Sequence, residues 1–167
     1  SQLGSPKSEF DMKGRGLLVT HYMVGALPYR IIIQQGISPK QMYQMLDALA
    51  ELFVRLHLSG FYWGDCSFSN ALFRRDAGLM AAYLVDAETG EMMEEVSTYR
   101  REFDLDIART NIAGDLMDIE ASDGLPGHLD PIDLADTLVE RYNQLWTELT
   151  RDEIFDPEDQ YMIEQRI

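Results

Sequence analysis

The chain has 167 residues, 46% apolar and 26% charged, which suffices for one domain with a real core and argues against disorder. Fourteen Lys plus Arg against 29 Asp plus Glu leave a net charge of −15. Such a surface repels phosphate backbones and anionic lipid heads, so neither nucleic acid nor a membrane surface is an expected partner.

The start, Ser1-Gln2-Leu3-Gly4-Ser5-Pro6-Lys7, has no apolar signal core, and no apolar run later in the chain is long enough to span a bilayer. With a single cysteine, Cys66, neither an internal disulfide nor a Cys-based zinc cluster can form. These features fit a cytoplasmic location. Residues 1–15 mix Gly, Ser, Pro and Lys without periodicity and read as a flexible tail; the first residue is not Met, so the chain is expected to be a piece of something longer. Residues 16–167 read as one unit.

Leu17 to Met23 is a continuous apolar run bounded by Gly16 and Gly25, which predicts a buried strand. Ser38 as N-cap, Pro39 at the first helical position and Gln41 closing a capping box predict a helix start. Met42, Met45, Leu46, Leu49, Phe53 and Leu56 give that helix an apolar face, and Gly60 ends it. After a polar segment, Ala71–Arg74 and Met80–Val85 flank Arg75-Asp76-Ala77-Gly78 and predict a hairpin. The remainder reads as helical. Leu105, Ala108, Ile112, Leu116 and Ile119 form one stripe; Asp130-Pro131 opens a helix with Ala135, Leu138, Val139, Tyr142, Trp146 and Leu149 inside; Asp156-Pro157 opens a third. The order predicts a mostly helical α+β fold.

The polar segment is Tyr62-Trp63-Gly64-Asp65-Cys66-Ser67-Phe68-Ser69-Asn70. An Asp followed five residues later by Asn is the spacing of a phosphotransferase loop, in which the carboxylate orients a hydroxyl and the amide reaches a metal on the nucleotide phosphates. A second pair with this spacing, Asp106 and Asn111, falls in a predicted helix, so spacing alone does not choose between them. Context favours Asp65: the loop follows a capped helix and precedes a hairpin whose second strand runs into Asp86. That carboxylate, near Asn70, could complete a Mg²⁺ site, since Mg²⁺ takes one or two side chains plus phosphates. The local alternative for Asp86 is a turn or cap residue.

Leu56-His57-Leu58-Ser59-Gly60-Phe61-Tyr62-Trp63-Gly64-Asp65 through Asn70 resembles the end of the long C-lobe helix and the catalytic loop of protein-kinase-like folds, and Val85-Asp86-Ala87-Glu88 resembles their metal-binding motif. Gly-Asp in the loop is similar to RIO-type kinases, aminoglycoside phosphotransferases and lipopolysaccharide kinases, and Ser67, two residues on, resembles the RIO type. Phe61 to Ser67, Tyr83 to Glu91 and Ile107 to Gly114 look most like the bacterial domain of unknown function 4032 family. The resemblance covers about residues 17 to 167. It implies the mostly helical C-lobe of a kinase-like fold with a hinge strand and one β-hairpin, using ATP and Mg²⁺. Asp65 would be the catalytic base, and Asn70 and Asp86 the metal ligands. Tyr22, Met23 and Val24 would form the hinge against adenine, with Leu72 as its floor. Asp106 would brace the loop, a solvated helix position being its alternative.

The departures matter as much. Trp63 and Gly64 stand where such loops carry His and Arg, and Ser67 where many carry Lys. The residues before the hinge hold no Gly-rich phosphate loop and no strand Lys, so the N-lobe is expected to be absent and this chain alone inactive. The implied function is ATP-dependent phosphoryl transfer to a hydroxyl acceptor once the lobe is supplied. The rival is a non-catalytic pseudokinase or acidic interaction module. Self-association through the face left by a missing N-lobe is a further expectation. His21, His57 and His128 show no metal-ligand spacing, and His57 reads as a structural hydrogen-bonder behind the loop. Cys66 reads as a small semi-buried residue, and Glu88, Glu91, Glu94 and Glu95 as a solvated acidic loop or an attractor for a basic acceptor.

Overall fold

A computed structural model describes residues 23–76 and 78–151. The expected tail, the strand Leu17–Met23 apart from its last residue, Tyr22, His21 and the helix opened by Asp156-Pro157 lie outside the described residues. Within them the order is β1 (Leu27–Pro28), α1 (Tyr29–Gln34), α2 (Pro39–Leu58), β2 (Phe61–Tyr62), β3 (Ala71–Asp76), β4 (Leu79–Leu84), β5 (Glu91–Met92), α3 (Thr98–Ser122) and α4 (Pro131–Thr150). The fold is mixed helix and strand with small sheets.

Helix α2 starts where its caps require. Ser38 Oγ accepts from Gln41 N while Gln41 Oε1 accepts from Ser38 N, satisfying two otherwise orphaned amides. Met42, Met45, Leu46, Leu49 and Phe53 are fully buried. This face packs against α4 on one side and β4 on the other, and α4 packs in turn on α3. The α3 stripe of Leu105, Ala108, Ile112, Leu116 and Ile119 is buried as its periodicity demands. In α4 the inner face holds Leu134, Ala135, Leu138 and Tyr142; Leu149, expected inside, is 57% exposed because the last turn runs past the core.

The hairpin pairs Ala71 with Leu84 through to Asp76 with Leu79, and Gly78 takes a positive φ at its tip. Strand β1 extends it to the order β1-β3-β4, and β2 pairs with β5 in a separate ribbon. Helix α1 is an element the sequence did not announce. Its Ile31-Ile32-Ile33 run favours strand by β-branching, but burial of Tyr29, Ile32 and Ile33 at helical spacing wins. No helix of the described residues is long and apolar enough to cross a membrane.

Candidate functional site

Helix α2 ends at Leu58, and Gly60, at φ +81°, turns the chain into β2. The loop from Trp63 to Asn70 then runs along α3 and closes in a 3-10 turn, Phe68–Asn70, that feeds β3. Three polar side chains on α3 hold it. Asp104, wholly buried, accepts from Trp63 N (2.8 Å) and His57 Nε2 (3.1 Å) on one oxygen and from Gly64 N (2.8 Å) on the other. A carboxylate only accepts, so His57 Nε2 donates to Asp104, and its Nδ1 meets the Tyr142 hydroxyl at 2.7 Å. Asp115 holds the far end of the loop, accepting from Phe68 N (3.0 Å), Tyr29 Oη (3.1 Å) and Ser69 Oγ (3.4 Å).

The bracing carboxylate is therefore Asp104 and not Asp106. On a helix of 3.6 residues per turn, Asp104, Asn111 and Asp115 share a face, whereas Asp106 lies some 200° away from Asp104, in solvent. The signal was in the sequence: polar residues seven and then four apart, running beside the apolar stripe.

Asp65 is exposed at the crest of the loop. Asn70 Nδ2 donates to the Asp65 main-chain oxygen at 2.9 Å and to Oδ2 at 3.4 Å. Asn111, the member of the second pair, reaches the same carboxylate from α3, donating through Nδ2 to Asp65 Oδ1 (3.0 Å) and Cys66 O (3.2 Å). Beyond the Ala71–Leu84 pair, Val85 N donates to Asn70 O at 3.1 Å, so Asp86 is the residue after the one that faces Asn70 across the open end of the hairpin. One Asp86 oxygen accepts from Glu88 N at 3.0 Å, an Asx turn.

Among the described residues no three His, Cys, Asp or Glu side chains gather as a metal site. Asp65, Asn70 and Asp86 carry hard oxygen donors, the type that suits a cation taking its remaining ligands from phosphate and water; of the three, only Asp65 and Asn70 are hydrogen-bonded to one another. Asn70 fits: with its amide nitrogen on Asp65, its carbonyl oxygen has no hydrogen-bond partner among the described residues.

Leu72 lies half-buried between Pro28 and Tyr83, on the face of β3 opposite Ala71 and Phe73. Met23 and Val24 form a turn rather than a strand end, with Ala26 N donating to Met23 O (3.3 Å). Cys66 is fully buried. Burial first, then the carboxylates of Asp104, Asp65 and Asp115, push its thiol well above the ordinary range, which leaves no reactive thiolate. Trp63 packs on Phe53, and its buried Nε1 has no hydrogen-bond partner among the described residues. Glu88, Glu91, Glu94 and Glu95 are solvent-exposed, with Glu91 paired to Arg100 at 2.9 Å. A groove of about 810 Å³ between α2, α4 and the hairpin tip shares no residue with the loop.

No family model matches the chain, and no curated protein matches it. In fold it is similar to a solved structure described as WaaP in complex with acyl carrier protein, with a TM-score of 0.54 and 16% identity over 79% of this chain and 53% of that one. The chain thus spans about half the length of that neighbour. A likeness at this identity shows the fold alone, and the fold is kinase-like.

Proposed function

We propose that this chain is part of an atypical kinase-like phosphotransferase, related to the domain of unknown function 4032 family, that moves the γ-phosphoryl group of ATP to a hydroxyl acceptor. One observation supports the reading: on a kinase-like fold, Asn70 donates to Asp65, and Val85, the residue before Asp86, donates to the Asn70 main-chain oxygen at 3.1 Å. Asn70 and Asp86 would hold Mg²⁺, which would neutralise charge on the phosphates. Asp65 orients the acceptor: as its oxygen bonds to the γ-phosphorus, the bond to the bridging oxygen breaks, ADP leaves, and the hydroxyl proton passes to the Asp65 carboxylate. Leu72 would pack beneath adenine, with Tyr22, Met23 and Val24 at its edge. Neutralising and positioning groups supply most of such catalysis, so the activity belongs to the complete protein.

Isothermal titration of the complete protein with Mg-ATP tests the reading. Binding that Asp86→Ala weakens by about tenfold or more supports it; no binding, or binding indifferent to Asp86→Ala, overturns it. A non-catalytic pseudokinase or acidic interaction module is the reading that would then stand. It draws on Asp86 Oδ1 already being used by Glu88 N, as in a plain turn.

A further inference from the structure

We propose that Asn111 is the positioning residue of the Asp65 carboxylate, an inference that rests on the phosphotransferase reading of that residue. The two acceptors beside Asn111 are Asp65 Oδ1 and Cys66 O, and neither can donate, so the chemistry puts the amide nitrogen toward the loop. That nitrogen ties the side chain of Asp65 and the backbone of the next residue to α3 together. Asn70 does a different job. Its short bond goes to the Asp65 main-chain oxygen, and its contact with Oδ2 is long at 3.4 Å. Of the two carboxylate oxygens, Oδ1 is thus anchored to a helix, and Oδ2, held only by the long contact from Asn70, is the one that would meet an acceptor hydroxyl.

The anchor is stiff for a reason that lies in the helix. Asn111 sits seven residues after Asp104 and four before Asp115, so the three side chains by which α3 holds the loop ride on one face of one helix. Ile112 and Ala108, beside Asn111, are fully buried and lock that face against the core. A carboxylate on an exposed loop would otherwise sample several rotamers; Asn111 selects one. Within the loop, Gly64 has no side chain to offer and Asn70 adds only the long contact to Oδ2, so the short bond to the carboxylate is the one from Asn111.

The test uses the complete protein with Mg-ATP and water as acceptor. Asn111→Leu keeps the size and removes both bonds; Asn111→Ser removes them without adding apolar surface, in case the first variant folds poorly. Expected is Mg-ATP affinity within about twofold of the parent and turnover reduced by roughly 10- to 100-fold, the scale of a misplaced reacting group. In an Asp65→Ala background the same substitution should cost nothing further, because the effect passes through that carboxylate. A readout free of turnover is the Asn111 side-chain amide resonance, which should move in Asp65→Ala and stay in Asp106→Asn. Undiminished turnover in Asn111→Leu or Asn111→Ser, additive losses, or an amide signal blind to Asp65→Ala overturns the inference. Parent protein that binds no Mg-ATP instead sinks the phosphotransferase reading, and the positioning role falls with it.

Discussion

Asp104 accepts hydrogen bonds from Trp63 N, Gly64 N and His57, while Asp106 two residues later faces water. The two residues are chemically identical, so their consequences separate cleanly on substitution. Asp104→Ala leaves two backbone amides and an imidazole N–H buried without an acceptor, and we expect it to cost about 3 kcal/mol of stability. Asp106→Ala should stay within about 0.5 kcal/mol of the parent. Urea titration of the two variants checks both; equal losses would mean that the loop is held by something other than this carboxylate. The local sequence, Asp104-Leu105-Asp106, offers nothing to choose between them. Only helical phase decides it, and Leu105, Ala108 and Ile112 set that phase: Asp104 borders the buried stripe and Asp106 lies away from it. Asn111 lies five residues from Asp106, but its partner Asp65 is 46 residues away in sequence, which no local spacing reveals.

At the scale of elements, caps and glycines set where the site falls. The capping box of Ser38 and Gln41 starts α2, so its last turn delivers His57 behind the loop. Gly60 then does two things: its φ of +81° suits glycine, and its missing Cβ lets the Met93 carbonyl approach, so that Met93 N can donate to Gly60 O at 2.9 Å. This contact continues the β2–β5 ribbon that ties the segment after Asp86 back onto the loop. Gly60→Ala should therefore cost more than the roughly 1 kcal/mol of a left-handed alanine alone, because the new methyl meets backbone. Gly25→Ala, at φ +78° with no atom of the described residues within 4 Å of the added methyl, supplies the control and should cost only that strain. Comparable losses at the two positions, measured by thermal unfolding, would show that the close approach to Met93 is not what Gly60 provides. The hairpin and the three long helices were readable from periodicity and turn chemistry. The ribbon β2–β5 was not, since each of its strands is a dipeptide with no period of its own and exists only because the other is there.

For the whole molecule, the network from Tyr142 through His57 to Asp104 joins α4, α2 and α3, so the ionisation of one hydroxyl is felt by the entire core. Burial pushes the Tyr142 hydroxyl up to about 12, the Arg101 side chain opposing it only in part. The sign follows from linkage. A group whose value is higher folded than unfolded contributes its full stability below the unfolded value near 10 and loses it as pH rises through the folded one. Global stability should then fall by roughly 2 kcal/mol between pH 10 and 12 on this account, and Tyr142→Phe should flatten that part of the curve. Denaturant titrations across the alkaline range check it; an unchanged slope in Tyr142→Phe would assign the loss to other groups. Tyr29 and Tyr62, also raised mainly by burial, add in the same direction and remain in the variant as background.

Periodicity, caps and turn residues in the sequence determined the helices, the hairpin and the loop bearing Asp65 and Asn70, because those features depend on neighbours within a few residues. The tertiary structure decided which side chains meet that loop. Asp104, Asn111 and Asp115 come to it from distant points in the chain, Tyr142 backs it through His57, and only the packing of α3 and α4 against α2 brings donors and acceptors within 3 Å or so of one another.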